Sequence, residues 1–178
     1  MTDRFPELAA LTDFVPPGTV LDGELLAWDY STDSPQSFNA LQKRIGRKTV
    51  PKKLLAEAPG VLRAYDVLEW QGEDIRSQPF AERRAKLDDV FQPLPSNVPL
   101  RLSPLLNFPE WSDLAAQRAT AREIGAEGVM LKRRDSLYRD GRKKGDWWKW
   151  KLDPLVIDAV MIYAQAGHGR RANLYTDY

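Results

Sequence analysis

The segment from Glu127 to Lys151 constrains this chain more than any other part of its sequence. It reads EGVMLKRRDSLYRDGRKKGDWWKWK, and its two ends have the apolar and alternating patterns typical of β-strands, over Val129–Arg133 and Trp147–Leu152. From Lys132 to Lys151 there are nine Lys or Arg and three Asp, a local net charge of +6 in a chain whose total is +1. Such a cationic hairpin suits a polyanion, either a nucleoside triphosphate or a nucleic-acid backbone.

The lysines at the end of this segment have a strand period. Lys149 and Lys151 alternate with Trp148 and Trp150, so both ammonium groups are expected on one face. They could hold a phosphate as two compact point charges, or they could be the polar side of a half-buried strand. The loop before them carries three consecutive cations that suit the same phosphates or a nucleic-acid backbone: Arg142, Lys143 and Lys144.

Carboxylates occur near the start of two predicted strands. Val20–Trp28 predicts a strand on which Asp22 and Glu24 share a face, and Glu127 precedes the strand at 129–133. Separated carboxylates can converge on a divalent cation such as Mg²⁺, which prefers hard oxygen ligands. An isolated acidic pair is more often only the rim of a sheet, so the sequence leaves both interpretations open.

Tyr65 lies in the middle of a strong predicted strand, Val61–Trp70. Alternation puts its ring on the same face as Val61 and Val67, where a tyrosine usually belongs to the core. The alternative is that the ring forms a flat platform for a purine base.

The composition excludes several kinds of site and of protein. There is no cysteine, which rules out disulfides and thiolate metal sites, and His168 is the one histidine, so neither a catalytic triad nor a histidine-based zinc site is expected. The longest apolar stretch, near Leu155–Ala166, is too short and too interrupted to span a bilayer. The sequence therefore predicts a cytoplasmic protein without membrane contact.

The rest of the pattern predicts an α+β fold of antiparallel or mixed sheets with helices packed outside. Helices are expected over 5–11, 37–46 (capped by Ser37), 52–58, 80–91 and 111–121, and a hairpin turn at Gln71-Gly72. Pro93–Pro99 is expected to be a loop. Leu155–Gln165 is predicted as a strand, followed by a turn and a last short strand, with a domain boundary at Asp153-Pro154.

Taken in order, these segments resemble the nucleotidyltransferase motifs of ATP-dependent DNA ligases. LDGELLAWD (21–29) resembles the third motif, and RAYDVLEWQGEDIR (63–76) the segment with the adenine-stacking aromatic residue. EGVMLKR (127–133) resembles the fourth motif, GDWWKWK (145–151) the fifth, and SLYRDGRKK (136–144) the Ser-x-Tyr-x-x-Gly-Arg linker between them. The similarity covers nearly the whole chain and is closest to bacterial ligases of the DNA-repair type.

The resemblance implies an ATP-grasp-like nucleotidyltransferase domain over 1–153 and the beginning of an OB-fold over 154–178. It implies ATP as the AMP donor, Mg²⁺ or Mn²⁺ as the metal, nicked duplex DNA as the partner, and a monomer in the bacterial cytosol. Residue roles follow for the matching positions: Glu24 at the ribose or metal, Tyr65 at adenine, Glu127 at the metal, Lys149 and Lys151 at the α-phosphate, Lys143 near the phosphates, and Arg142 and Lys144 at DNA.

One family motif is missing from these 178 residues. Ligases attack ATP with the lysine of a Lys-x-Asp-Gly motif, and no such motif occurs here. The chain is therefore expected to be an interior piece of a ligase, inactive alone in forming lysyl-AMP. The alternatives are a relative of RNA ligases or capping guanylyltransferases, a non-catalytic nucleotide- or DNA-binding module, and a remnant without function.

Overall fold

A computed structural model describes residues 2–47, 49–92, 94–141 and 143–177. The strands are β1 (Val20–Asp29), β2 (Ser34–Pro35), β3 (Gly60–Trp70), β4 (Glu73–Asp74), β5 (Leu100–Leu102), β6 (Gly128–Lys132), β7 (Trp147–Lys151), β8 (Gln165–Ala166) and β9 (Tyr175–Asp177). The α-helices are α1 (Phe38–Ile45), α2 (Lys52–Glu57), α3 (Phe80–Phe91) and α4 (Trp111–Ala119). Short 3-10 helices cover Thr2–Arg4, Pro6–Asp13, Ala121–Ile124 and Gly169–Arg171.

The central sheet has five strands in the order β2-β1-β3-β4, with β5 also pairing with β3. β1 and β3 are long and antiparallel, whereas β5 runs parallel to β3. The hairpins β6–β7 and β8–β9 each form a separate two-stranded sheet. Helix α3 packs on β3, so the predicted α+β fold with mixed sheets and outer helices is confirmed.

The pairing of β3 with β1 contains two β-bulges, and one of them is at Tyr65. Asp22 pairs with Asp66 and the next residue, Gly23, pairs with Ala64, which leaves Tyr65 without a partner across the ladder. A bulge changes the direction of the side chains around it. The simple alternation that grouped Tyr65 with Val67 therefore breaks at this residue: Val67 is fully buried in the core, whereas Tyr65 is half-buried.

The core consists of two clusters of buried residues, both of which include residues of the long strands. One packs seven buried residues between β3, α3 and the following loop, namely Ala64, Val67, Ile75, Leu87, Val90, Val98 and Leu100. The other joins Phe5, Ala27, Leu41 and Ala58, which brings the N-terminal 3-10 helices against α1 and β1. Removing this apolar area from water stabilises the fold by about 1.5–3 kcal/mol for each large side chain.

A buried arginine fixes the N-terminal segment to this second cluster. Arg44 has no exposed side-chain surface, and its guanidinium pairs with Glu7 at 2.5 Å and donates to the carbonyl oxygens of Ala58 and Arg4. The Glu7 carboxylate also accepts the backbone N–H of Gly60 at 2.6 Å. Burial opposes ionisation of Glu7, yet the bonds from Arg44 and Gly60 outweigh it and keep the Glu7 pKa below its usual value.

Most predicted elements are confirmed, and three expectations need correction. Leu155–Gln165 is not a strand: residues 155–163 are exposed and have no regular secondary structure, and only Gln165–Ala166 pairs, with β9. Ser37 occupies the N-cap position of α1 but makes no capping hydrogen bond, and the expected N-terminal helix is a 3-10 helix. The sequence did not predict β5. No helix in the described part of the chain is long and apolar enough to cross a membrane.

Candidate functional site

The hairpin β6–β7 presents its cations on one face. In its register Gly128 pairs with Lys151, Met130 with Lys149, and Lys132 with Trp147. Directly paired residues of antiparallel strands share a face, so these six residues lie together, as the alternation of the two lysines predicts. Gly128 has a φ of +146°, and a Cβ there would lie 2.3 Å from the Trp150 carbonyl oxygen, so the pairing requires glycine.

One end of this face carries the predicted metal and phosphate residues. The Lys151 Nζ lies 2.5 Å from an oxygen of Glu127, and both side chains are exposed. The hydrogen bond from Lys151, followed by its charge and that of Lys149, lowers the pKa of the Glu127 carboxyl. The structure therefore brings Glu127, Lys149 and Lys151 together, with the carboxylate ionised beside two cations.

The other end of the face, about 13 Å further along β6 at ~3.3 Å per residue, holds a lysine that the sequence did not single out. The side chain of Lys132 is only 9% exposed, and its Nζ lies 4.7, 4.8 and 4.1 Å from the ring centres of Tyr65, Phe80 and Trp147. It has no hydrogen-bond acceptor among the described residues. Burial lowers the pKa of Lys132, and the nearby charges of Asp66 and Asp22 offset this only in part.

A buried ion pair lies next to Lys132. Asp66 and Arg83 have no exposed side-chain surface, and their two hydrogen bonds measure 2.8 and 2.9 Å. Asp66 also lies 3.6 Å from the Lys132 ammonium. Arg83 reaches further, because its guanidinium donates to the Ser136 carbonyl at 3.2 Å. The central sheet and α3 are thereby held to the start of the basic segment, by which we mean residues 133–146.

Of the two carboxylates on the predicted acidic face of β1, Asp22 and not Glu24 accepts side-chain hydrogen bonds in the described structure. Its two oxygens accept the hydroxyls of Tyr65, at 3.2 Å, and Tyr138, at 2.7 Å. Burial, followed by the proximity of Asp22, raises the pKa of Tyr65 to about 12, and the same two causes raise the pKa of Tyr138. Both phenols are therefore neutral donors at physiological pH, whereas Glu24 is exposed.

The basic segment forms an open cleft of about 280 Å³ beside the hairpin. Its lining is strongly cationic, with Asp146 as the one acid: Arg133, Arg139, Lys143, Lys144, Gly145 and Asp146. Asp146 pairs with both Arg133 and Arg139, at 3.4 and 2.9 Å. Arg142, which was assigned to DNA from the sequence, lies outside the described residues. The cleft places Lys143 and Lys144 together, away from Lys149 and Lys151.

A second open cleft, of about 420 Å³, shares Arg139 and Lys143 with the first and is also lined by Arg76 and Tyr138. As far as the described residues go, neither cleft is lined by Tyr65, Glu127 or the lysines of β7. The side chains that surround the hairpin face have the more specific chemistry, because they combine a carboxylate, unshielded ammonium groups and an aromatic ring. We therefore take the face, and not either cleft, as the candidate site.

The donor set for a metal is small. Among the residues that the structure describes, no three His, Cys, Asp or Glu side chains form a group that could hold a metal ion. Mg²⁺ is commonly bound by one or two carboxylates together with substrate phosphates and water, so a complete protein cage is not required. The exposed carboxylate of Glu127, flanked by two lysines, fits such an incomplete site.

Comparison with known proteins assigns the chain to a family. The family model for the ATP dependent DNA ligase domain matches residues 1–151. The chain belongs to the ATP-dependent DNA ligase family. A probable DNA ligase of Koribacter versatilis (strain Ellin345) is 34% identical over the whole chain, and a DNA ligase of Halorubrum lacusprofundi is 34% identical over 98% of it. The chain spans only about a third of each of these ligases (34% and 28% of their lengths).

A solved ligase structure supports the same fold assignment. The match to mycobacterial DNA ligase D complexed with ATP and MES covers 83% of this chain and 42% of that ligase chain, with 31% identity and a TM-score of 0.57. The predicted nucleotidyltransferase fold of DNA ligases is thus confirmed. The individual site residues and the division at Asp153-Pro154 stay predictions.

Proposed function

We propose that this chain supplies the nucleotide-binding face of an ATP-dependent DNA ligase that seals nicks in duplex DNA through lysyl-AMP and DNA-adenylate intermediates. The observation that carries the proposal is the shared face of β6 and β7. It joins Glu127, Lys149 and Lys151 at one end to Lys132 and the ring of Tyr65 at the other. An extended nucleotide matches this polarity, because its charged phosphates and flat base are also separated.

The phosphate end is suited to stabilising developing negative charge. When a lysine amine attacks the α-phosphorus of ATP, the N–P bond forms as the bond to pyrophosphate breaks, and negative charge collects on the phosphoryl oxygens. Two ammonium groups already positioned on a strand can stabilise that charge without reorganisation. Lys149 and Lys151 are proposed for this role. These 178 residues contain no Lys-x-Asp-Gly, so the nucleophile is not among them.

The carboxylate at the same end is proposed to hold Mg²⁺ together with the phosphates. Glu127 is ionised and exposed, so a bound cation could replace Lys151 as its partner. The metal, when bound, would neutralise phosphate charge and orient the leaving pyrophosphate. Glu24, at the rim of β1, is the second proposed carboxylate and could instead contact the ribose. Lys151, once released from Glu127, would be free to turn to the α-phosphate.

The base end is proposed to bind adenine. The ring of Tyr65 offers an aromatic platform, and Lys132 lies over that ring with an ammonium that has no acceptor in the described structure. A buried unsatisfied donor is costly, and a purine ring nitrogen would satisfy it. Nucleotide binding would thus supply a hydrogen-bond acceptor to an ammonium group that lies 3.6 Å from Asp66 but has no hydrogen-bond acceptor among the described residues.

The test separates the two ends by using ligands of different charge. Binding of adenosine, AMP and ATP to this chain is measured by calorimetry for the wild type, Lys149→Ala and Lys151→Ala. Each variant is expected to lower the affinity for ATP about tenfold, the scale of one charge-assisted hydrogen bond. The affinity for adenosine is expected to stay unchanged. Lys53→Ala is the matched control, because Lys53 is an exposed lysine of α2 that pairs with Glu57 at 3.7 Å.

Equal ATP affinity in the wild type and both lysine variants would refute the phosphate role. Loss of adenosine affinity together with ATP affinity would show that the substitutions disturb the fold and not the phosphates. Tyr65→Leu provides the converse test. It should weaken adenosine and ATP by similar factors, because it removes the stacking surface and no charge.

A second candidate function is a binding module that does not catalyse adenylation, and the missing Lys-x-Asp-Gly favours it for this chain alone. In both cases the cleft with Lys143 and Lys144 is proposed to contact the DNA backbone. Affinity for nicked DNA should then fall steeply as salt rises, since bound phosphates release counterions. The two functions are separated by an adenylation assay on a ligase that contains these residues together with a Lys-x-Asp-Gly motif. Formation of lysyl-AMP would favour the ligase, and its absence would favour the binding module. Action as a monomer in the bacterial cytosol stays a prediction of the sequence.

A further inference from the structure

Two tyrosines from distant parts of the chain share one carboxylate. Tyr65, on β3, donates to Oδ1 of Asp22, and Tyr138, in the basic segment, donates to Oδ2. The two oxygens of Asp22 thus each have their own phenol, with separations in sequence of 43 and 116 residues. Neither tyrosine can move relative to β1 without giving up a hydrogen bond to a charged acceptor.

Tyr138 is firmly attached to the basic segment. Its backbone N–H donates to the Arg76 carbonyl at 2.9 Å, and its ring meets Trp147 edge-on at 5.3 Å. The next residue, Arg139, lines the basic cleft and pairs with Asp146. The Tyr138 ring therefore contacts the first residue of β7, and its backbone adjoins Arg139, which lines the basic cleft.

Tyr65 depends on its hydroxyl for its position. It is the bulged residue of β3 and has no partner across the ladder to β1, so the side-chain contacts fix the plane of its ring. Those contacts are the Asp22 carboxylate at the hydroxyl and the Lys132 ammonium over the ring. The orientation of the aromatic platform is thus set partly by the same carboxylate that holds Tyr138.

We propose that Asp22 is a positioning residue that couples the orientation of the Tyr65 ring to the placement of the basic segment through Tyr138. The inference rests on the proposed function, because it assigns ATP to the Tyr65 end and DNA phosphates to the basic segment. Coupling between two binding sites is reciprocal: a change that the nucleotide imposes on Tyr65 affects DNA affinity by the same factor with which DNA affects nucleotide affinity.

The experiment uses substitutions that remove one hydroxyl and keep the ring. Tyr138→Phe preserves the contact with Trp147, and Tyr65→Phe preserves the stacking surface. ATP affinity and affinity for a nicked duplex with a 5′-phosphate are measured for both variants. Each substitution is expected to affect the ligand of the other site. Tyr138→Phe should lower the affinity for ATP, and Tyr65→Phe the affinity for DNA, each by about threefold to tenfold, the scale of one hydrogen bond. Tyr163→Phe, in the exposed stretch before β8, is the control.

The outcome pattern separates the inference from the proposed function. If both ligands bind the wild type and each Phe variant weakens only its own ligand, the coupling is refuted and the binding roles stand. If the wild type binds neither ligand, the proposed function fails, and the coupling is decided without ligands. For that, ¹³C-labelled tyrosine resonances are recorded: Tyr138→Phe should shift the signals of Tyr65, and unchanged signals would overturn the inference.

Discussion

Asp66→Asn is expected to be among the most destabilising single substitutions in the sheet. The carboxylate of Asp66 receives two hydrogen bonds from Arg83, at 2.8 and 2.9 Å, and one from the backbone N–H of Val67, at 2.9 Å. Lys132 lies 3.6 Å away, and neither Asp66 nor Arg83 has any exposed side-chain surface. The neutral amide would leave the two buried cations, Arg83 and Lys132, without the carboxylate that lies between them.

The magnitude follows from the burial of both partners. Removing one member of a fully buried ion pair typically costs about 3–5 kcal/mol, because the remaining charge stays desolvated. A domain of this size has a total free energy of unfolding of about 5–15 kcal/mol, so the variant should be marginally stable. Since the loss arises from the uncompensated Arg83, Asp66→Asn combined with Arg83→Met should recover part of it.

The assay is urea unfolding followed by the fluorescence of the six tryptophans. Asp88→Asn is the matched control, because Asp88 also pairs with an arginine of α3, Arg84, but has a side chain that is 44% exposed. Its loss should stay below about 1 kcal/mol. The reasoning is refuted if the two Asp→Asn variants lose similar free energy, or if Asp66→Asn together with Arg83→Met is no more stable than Asp66→Asn.

Three further substitutions test other parts of the structure. Gly128→Ala should cost at least about 2 kcal/mol in urea unfolding, because φ is +146° and the new methyl group would meet the Trp150 carbonyl oxygen. Burial lowers the pKa of Lys132, so Lys132 loses its proton at a lower pH in the folded state than in the unfolded state. The free energy of unfolding should therefore rise with pH between the pKa of the folded state and the usual value of 10.5. Lys132→Met should abolish that rise in a series of melting temperatures. Arg44 helps to keep the pKa of Glu7 below 4.5, so Glu7→Gln should lose stability at about pH 7 and much less at about pH 3.

Each of these predictions has an outcome that contradicts it. Gly141 also has a positive φ, of +73°, but no atom within 4 Å of an added Cβ, so Gly141→Ala should be the milder change. Equal losses at the two glycines would show that the contact with β7 is unimportant. If the melting temperature of the wild type falls throughout the alkaline range, as that of Lys132→Met does, the lowered pKa of Lys132 is contradicted. Equal losses for Glu7→Gln at both pH values would exclude an ionic contribution from Glu7.

Regular elements could be predicted from the sequence where the local pattern and the partner agree. β1, β3, α3 and β6–β7 have strong periodicity and also bury one face or pair with a neighbour. Leu155–Gln165 has the apolar pattern of a strand, but the described residues offer no neighbour to pair with, and a strand without a partner does not form a ladder. Strand β5 has only three residues and forms because β3 presents a free edge, which no local pattern reveals.

The sequence singled out Glu127, Lys149, Lys151 and Tyr65 as candidate site residues, but it gave no signal for Lys132. Alternation alone predicts that Lys149 and Lys151 share one face. The pairing of Gly128 with Lys151 then brings them near Glu127, the residue before β6. Lys132 looks like an ordinary end of an apolar strand, and its aromatic surroundings come from three separate segments. The bulge at Tyr65 has no signal in a period-2 pattern. Asp22 accepts two hydrogen bonds because distant phenols reach it, which no local pattern shows; the role of Glu24, which the resemblance implies, stays a prediction.

The way the basic segment is anchored has a consequence for its evolution. Its two ends are fixed: the backbone N–H of Arg133 donates to the Asp146 carbonyl, that of Phe80 to Ser136, and that of Tyr138 to Arg76. Between Tyr138 and Asp146, the described residues make no backbone hydrogen bond to the rest of the fold. Insertions, deletions and changes of charge in that interval therefore leave the sheet intact. A lineage could therefore change the length and charge of this surface while the sheet beneath it is inherited unchanged.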